Sequence, residues 1–131
     1  MNRSERGSAA VEAALILPVV ILIMIGIFEY GVYFLRMYMY EQAVFAGARA
    51  GAIEDVNKNS VAQSEALRVL GDLGIAAADA PAIDVQSDIP GPVAGTTLIR
   101  VRIDTAYTPI IGYSSVILPA RIRAVSSTLN Y

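Results

Sequence analysis

Glu12 is the residue whose chemistry most constrains this chain. It stands directly before an uncharged run from Ala13 to Phe28, which reads AALILPVVILIMIGIF. A carboxylate in such a setting costs on the order of 2 to 3 kcal/mol even on lenient membrane-insertion scales, so it is a functional candidate by default. A positively charged partner would offset this cost, and the sequence therefore raises the question of which group pairs with Glu12.

Catalysis is not expected from this composition. The chain has no histidine and no cysteine, which removes the usual general base near neutral pH, the commonest metal ligand and any thiolate metal site. The carboxylates follow no metal-binding loop pattern, and the stretch from Gly91 to Gly95 is better interpreted as a turn than as a phosphate loop. We therefore expect no enzyme, no catalytic residue, no cofactor and no metal. Nucleic acid is not an expected partner either, because the ten Lys and Arg residues are scattered and the net charge is -2.

The elements that must position Glu12 are an anchor and a small head. The chain has 131 residues and is 55% hydrophobic, which is apolar for a soluble domain and short for two. A helix from Ala13 to Leu35 would rise about 35 Å, enough to cross a hydrocarbon core of roughly 30 Å. Arg3 and Arg6 precede it, which predicts a cytoplasmic N-terminus and an outward-facing remainder. A cleaved secretory signal is the alternative, but no small-x-small cleavage site follows Phe28.

Aromatic residues cluster where this helix would leave the membrane. Amphipathic rings settle at the level of the lipid headgroups, although packing against the head is an equally open interpretation. Glu29 would either extend to the headgroups or make a second contact between subunits. The predicted membrane-interface residues are Tyr30, Tyr33, Arg36 and Tyr38.

The helical pattern continues beyond the membrane as a stalk. The first helix is predicted from near Ser8 to near Ala52, far longer than the globular average of about 11 to 12 residues. Ala43, Gly47 and Gly51 recur at four-residue spacing and form a narrow face for close packing. That face would accept either another copy of the helix or a sheet of the same chain.

The rest of the chain predicts a second helix and a small antiparallel sheet. Ser60 to Gln63 is typical of a capping box that begins the helix, and Gly71 or Gly74 would end it. The predicted apolar stripe of this helix consists of Ala62, Ala66, Leu67, Leu70 and Leu73.

Three strands are expected, at about residues 83–86, 97–106 and 121–129, with a Pro- and Gly-rich turn over 90–95. The segment 107–119 carries too many prolines and glycines for a regular strand. Arginines alternate with apolar residues in the last two strands, which indicates a solvated face or a contact with another subunit. The expected fold class is α+β, with a long N-terminal helix, a second short helix and a sheet of three or four strands.

The N-terminal sequence resembles the TadE-like family of minor pseudopilins. The resemblance is carried by RGSAAVEAALILP, from Arg6 to Pro18, and by Phe28-Glu29-Tyr30-Gly31 further along the helix. Ala13 stands where many relatives have phenylalanine, whereas Gly7 and Glu12 match. The strand sequences IRVRID and ARIRAVSS are similar only in general character.

The resemblance implies processing by a prepilin peptidase, which would cut between Gly7 and Ser8 at the cytoplasmic membrane face. Cleavage would remove the leader over residues 1–7 and give Ser8 a new terminal amine, which is commonly methylated in pilin-like families. That amine would pair with Glu12, either within one chain or, as the family picture has it, between neighbouring subunits.

The resulting expectation is a structural subunit or assembly-priming component of a tight-adherence type IV pilus. Its predicted parts are the leader 1–7, the helix 8–53 with a membrane span of about 13–35, and the head 54–131. Expected partners are the prepilin peptidase, other pilin and pseudopilin subunits through the N-terminal helix, the inner-membrane assembly machinery and membrane lipid. The alternatives are a main pilus subunit and a single-pass anchored binding domain that never polymerises.

Overall fold

The computed structural model describes residues 3–110 and 118–130, apart from the side chains of residues 3–6, 8, 9 and 130. The first helix, α1, runs over Arg3–Ile53 and contains 51 residues, so it is about 75 Å long. It ends one residue beyond the expected Ala52 but begins inside the expected leader. Within the expected leader, Gly7 is the one poor helix former. Glycine lowers helix stability by about 1 kcal/mol relative to alanine, and one such residue does not stop a helix.

The second helix, α2, spans Lys58–Asp72, and the predicted capping box at its start is wrong. Asn57 occupies the N-cap in the left-handed region, with φ 65°, which asparagine tolerates better than most residues. Ser60 therefore lies within the first turn. Its hydroxyl donates to the carbonyl oxygen of Asn57 at 2.9 Å instead of accepting from the first-turn N–H groups.

The other end of α2 is closed by Gly74. The Ile75 N–H donates to the carbonyl oxygen of Leu70 at 2.9 Å, and the Gly74 N–H donates to that of Gly71 at 3.0 Å. This pair of bonds is the Schellman arrangement, which requires a positive φ at Gly74, and the observed value is 91°. Of the two glycines predicted to end the helix, Gly74 is thus the one that does.

Helix α2 lies against α1 along the predicted narrow face, here called the small-residue seam. Its members are all buried and comprise Ala43, Gly47 and Gly51 of α1 with Ala62 and Ala66 of α2. A Cβ atom added to Gly47 would lie 2.6 Å from the carbonyl oxygen of Ala62. The absence of that atom is what lets the two helices approach so closely, and it is α2 of the same chain that occupies this face.

Three antiparallel strands form a sheet in the order β1-β2-β3, with β1 over Ile83–Pro90, β2 over Thr97–Ala106 and β3 over Arg121–Asn130. A short 3-10 turn, Ala77–Asp79, connects α2 to β1. The first strand is longer than predicted because an irregularity between Gln86 and Ile89 lets pairing continue to Pro90, with Asp88 at φ 57°.

The sheet packs its apolar face onto the upper half of α1. Alternate residues of β2 and β3 point inward, so each strand contributes every second side chain to the core. The buried strand residues are Ile99, Val101, Ile103, Ile122 and Ala124, and Tyr40, Val44 and Ala48 of α1 and Leu70 of α2 belong to the same cluster. The predicted α+β class is confirmed, with a two-layer head built around the stalk.

The lower half of α1 has no such cover. Among the described residues one helix is long and apolar enough to cross a membrane, and none of its most apolar window is buried inside the chain. Large apolar side chains from Val11 to Phe28 are exposed all round the helix, for example Leu15 at 73% and Ile27 at 68%. Because such a surface is stable only in an apolar environment, a single membrane-anchoring helix accounts for it.

The small-residue seam predicts a sharp effect of one methyl group. Gly47→Ala places a Cβ against backbone of α2, so we expect the free energy of unfolding of the head to fall by about 1 to 3 kcal/mol. Gly31→Ala is the matched control, because a Cβ there meets nothing within 4 Å. Thermal unfolding of the full chain in detergent, followed by tyrosine near-ultraviolet circular dichroism, checks this. Equal midpoints for the two variants would contradict the seam.

Candidate functional site

The N-terminal site residues lie on the first turns of α1. Gly7 and Glu12 are exposed, and the backbone of Ser8 is helical while its side chain lies outside the described part of the structure. Ser8 and Glu12 are four residues apart, which places them on one face with an axial separation of about 6 Å. The structure thus presents Glu12 outward from the helix, toward whatever surrounds it.

Glu29 is placed very differently. Its side chain is 0% exposed, although it belongs to the same helix. Its Oε1 accepts a hydrogen bond from the backbone N–H of Ile110 at 2.6 Å and another from the hydroxyl of Tyr107 at 3.3 Å. Both donors belong to the segment that follows β2, so the carboxylate joins the stalk to the far end of the sheet. Hydrogen bonds to an ionised acceptor are the stronger kind, which suits this junction.

Tyr107 is held in place on several sides. Its N–H donates to the carbonyl oxygen of Ala120 at 2.9 Å, which extends the pairing of β2 and β3 by one step. Its ring meets that of Tyr33 edge-on at 5.1 Å between centroids, and the guanidinium of Arg36 lies 5.9 Å from its centroid. Burial and the negative charge of Glu29 raise the pKa of Tyr107, so its hydroxyl stays protonated and able to donate.

The structure divides the predicted interface residues between two faces of α1. Tyr33 is buried at 8% exposure, whereas Tyr38 is 56% exposed and Tyr30 lies at 36%. Tyr33 follows Glu29 by four residues and therefore shares its face, toward the head. Tyr30 and Tyr38 remain exposed, as does the side chain of Arg36.

The position of Glu29 also marks where the apolar helix meets the head. Glu12 and Glu29 are seventeen residues apart, a rise of about 26 Å, and no charged residue lies between them. This distance is close to the thickness of a hydrocarbon core. The predicted membrane span continues to Leu35, beyond Glu29. In those last turns the head already covers one face of the helix, at Glu29 and Tyr33. Within the chain, the carboxylate of Glu29 is enclosed by the head.

A second electrostatic cluster lies on the outer face of the sheet. Asp104 accepts hydrogen bonds from Arg102 at 2.6 Å, Arg121 at 2.7 Å and Arg123 at 3.1 Å, and its side chain is only 15% exposed. The hydrogen bond from Arg121, followed by that from Arg102, lowers the pKa of Asp104 from 3.8 to about 2. The alternating arginines thus converge on one carboxylate within the chain, and their guanidinium groups remain largely exposed.

Sequence reasoning missed Tyr107, Ile110 and Asp104 as site residues. The contact of Glu29 with Tyr107 joins residues 78 apart, and no local periodicity reports such a pairing. One usable signal was present on α1, since Glu29, Tyr33 and Tyr40 continue the helix face that carries the small-residue seam. Following that face back toward the membrane would have placed Glu29 under the head.

Comparison with known proteins bears on the N-terminal site. A family model described as TadE-like protein matches residues 7–49, which include Gly7, Ser8, Glu12 and most of α1. The chain has a TadE-like N-terminal segment. This confirms the resemblance expected from the sequence. No curated protein and no solved structure matches the chain.

The buried carboxylate of Glu29 yields a graded prediction. Glu29→Ala leaves the Tyr107 hydroxyl and the Ile110 N–H without this acceptor, and each unsatisfied donor costs about 1 to 3 kcal/mol. Glu29→Gln keeps an acceptor oxygen, so we expect a smaller loss. Thermal unfolding in detergent measures both, with the exposed Glu41→Ala as control. If Glu29→Ala is no less stable than Glu41→Ala, the junction does not hold the head.

The arginine cluster around Asp104 predicts a pH dependence. Because folding lowers the pKa of Asp104, its stabilising contribution is complete above about pH 4 and is lost as the pH falls toward about 2. Asp104→Asn should lower stability at neutral pH and flatten the decline between pH 4 and 2. Thermal midpoints measured across this range, with the exposed Asp79→Asn as control, check the assignment. A mutant as acid-sensitive as the unsubstituted chain would refute it.

Proposed function

We propose that this chain is a minor pseudopilin that is incorporated into, or primes, a tight-adherence type IV pilus. The observation that carries the proposal is the extent of the family match, which begins at Gly7 and follows α1 to Arg49. This range contains the motif from Gly7 to Glu12 and the apolar helix, the parts through which pilin-like subunits assemble. Arg3 and Arg6 favour insertion in the inner membrane with the N-terminus cytoplasmic and the head periplasmic.

We further propose that a prepilin peptidase cuts the chain between Gly7 and Ser8. Proteases bind extended backbone, whereas this bond lies in the second turn of α1. Local unwinding there is inexpensive, because the turn is close to the helix end and glycine is a poor helix former. Gly7 is exposed, and even an added Cβ would meet nothing within 4 Å, so the structure offers no obstacle to the enzyme.

Glu12 is the proposed assembly residue. After cleavage, the new amine of Ser8 would lie one helical turn away from it, and the outward orientation of Glu12 also leaves it open to the amine of a neighbouring subunit. A carboxylate surrounded by apolar helices is strongly destabilising when unpaired, so only arrangements that pair it would persist. The pair would therefore select the register in which the helices assemble.

The size of the head favours a minor role over that of a main subunit. Residues beyond α1 form a second helix and a three-stranded sheet, both packed against the stalk, whereas main pilins of this system consist of little more than the first helix. A head of this kind adds a surface to the filament or to its base. A binding domain that never polymerises would use the same anchor but would have no need of Glu12.

N-terminal sequencing of the mature protein tests the processing step. We expect the mature chain to begin at Ser8 in cells that contain the peptidase and at Met1 in cells that lack it. A chain that begins at Met1 in both would contradict cleavage.

Glu12→Gln tests assembly separately from processing. Because the amide cannot form the ion pair, we expect cleavage to be unaltered while the amount of chain that co-sediments with sheared pili falls several-fold. Glu41→Gln is the matched control, since it removes an exposed charge from the same helix outside the apolar run. Normal incorporation of Glu12→Gln would remove the assigned role, and a wild-type chain that stays with the membrane after shearing would favour the non-polymerising anchor.

A further inference from the structure

The segment after β2 contacts α1 close to the apolar end of that helix. Tyr107 contacts Arg36, Tyr33 and Glu29 in turn, and the backbone of Ile110 contacts Glu29. Glu29 and Arg36 are seven residues apart, so this segment descends about 10 Å along the helix. Ile110 thus lies level with the last turn of the uncharged run.

The last described residue of this segment, Ile110, has an apolar and exposed side chain. The side chain of Ile110 is 59% exposed, although its backbone N–H is fixed on Glu29 at 2.6 Å. Phe28, on the adjacent helix position, is 61% exposed and belongs to the apolar surface that anchors the chain. Because Phe28 directly precedes Glu29 on α1, the exposed side chains of Phe28 and Ile110 lie at about the same level along the helix.

Basic side chains lie at the same end of the head as Ile110, further from the apolar end of α1. Ala120 pairs with Tyr107, which places Arg121 beside the segment, and Arg36 lies over the ring of Tyr107. The cluster around Asp104 sets three guanidinium groups against that carboxylate. Two further acids lie nearby, Asp84 opposite Arg102 and Asp79 in the same cleft as Arg36. The guanidinium of Arg121 is largely exposed, at 61%.

We propose that this end of the head rests on the bilayer, with Ile110 inserted at the boundary between headgroups and acyl chains. Interfacial elements commonly bury their apolar side chains about 5 to 10 Å deep while their basic groups meet anionic headgroups, and the spacing of Ile110 and Arg36 fits this arrangement. The partner is thus a lipid surface that contains anionic phospholipid.

The arrangement defines the orientation of the head in the membrane before any assembly. The proposal relies on the membrane anchor but not on cleavage, Glu12 pairing or the presence of a pilus. It can therefore fail while the proposed function stands, and the reverse also holds.

Site-specific labelling of the full chain in vesicles tests the proposal. The chain has no cysteine, so Ile110→Cys gives a single site for an environment-sensitive nitrobenzoxadiazole label. Phe28→Cys is the positive control within the anchor, and Val93→Cys, 62% exposed in the hairpin at the other end of the sheet, is the negative control. Spin-labelled lipids report contact with acyl chains, and iodide on both sides of the membrane reports contact with water.

We expect the label at position 110 to be quenched by spin-labelled lipid several-fold more strongly than the label at 93, and to be protected from iodide. Phosphatidylglycerol added to phosphatidylcholine vesicles should increase the lipid quenching at 110, and high salt should reverse that increase. Thr108→Cys, on an exposed neighbouring residue, provides a second site if the first variant misfolds, and a weaker effect of the same sign is expected there. Equal lipid quenching at 110 and 93 would overturn the proposal. Protection at 110 that disappears on dilution of the protein in excess lipid would overturn it in favour of a second copy of the chain.

Discussion

The burial of the Glu29 carboxylate is the interaction on which the arrangement of stalk and head depends. A helix satisfies its own backbone groups, but it offers no donors to a carboxylate in the middle of its length. The donors must come from another part of the chain, and here they are the Tyr107 hydroxyl and the Ile110 N–H. Since Tyr107 also continues the pairing of β2 with β3, the position of the carboxylate fixes one end of the sheet against α1.

The small-residue seam supplies the complementary constraint higher on the same helix. Gly47 and Gly51 allow α2 to lie so close that a single added Cβ would collide with its backbone. The contact at Glu29 is polar and directional, whereas the small-residue seam depends on steric fit between apolar surfaces. Together they explain why the head packs along α1 between Glu29 and Gly51, with the sheet and α2 sharing one core.

The elements of this fold were predictable from sequence to the extent that they depend on local patterns. The alternation of apolar and charged residues in IRVRID predicted β2 over Thr97–Ala106, which are its observed bounds. Gly74, which ends α2, was one of the two predicted helix ends. The predicted start of α2 was wrong because Asn57, in the left-handed conformation, occupies the N-cap and places Ser60 inside the first turn. The junction at Glu29 was missed because its donors lie about 80 residues away, and the convergence of three arginines on Asp104 depends on strand register, which composition does not fix.

Two carboxylates on one helix thus meet the same physical problem in opposite ways. Glu29 is enclosed by its own chain and acquires its donors on folding, so it has no surface left to offer a partner. Glu12 is equally close to the apolar run but remains exposed on the outside of the helix, where none of the described head residues covers it. A charge left exposed on a surface that otherwise suits only lipid or other apolar helices requires a partner from outside the fold or from the chain terminus. This difference in exposure, more than the presence of either acid, is the physical reason to propose an assembly role for Glu12 and an internal structural role for Glu29.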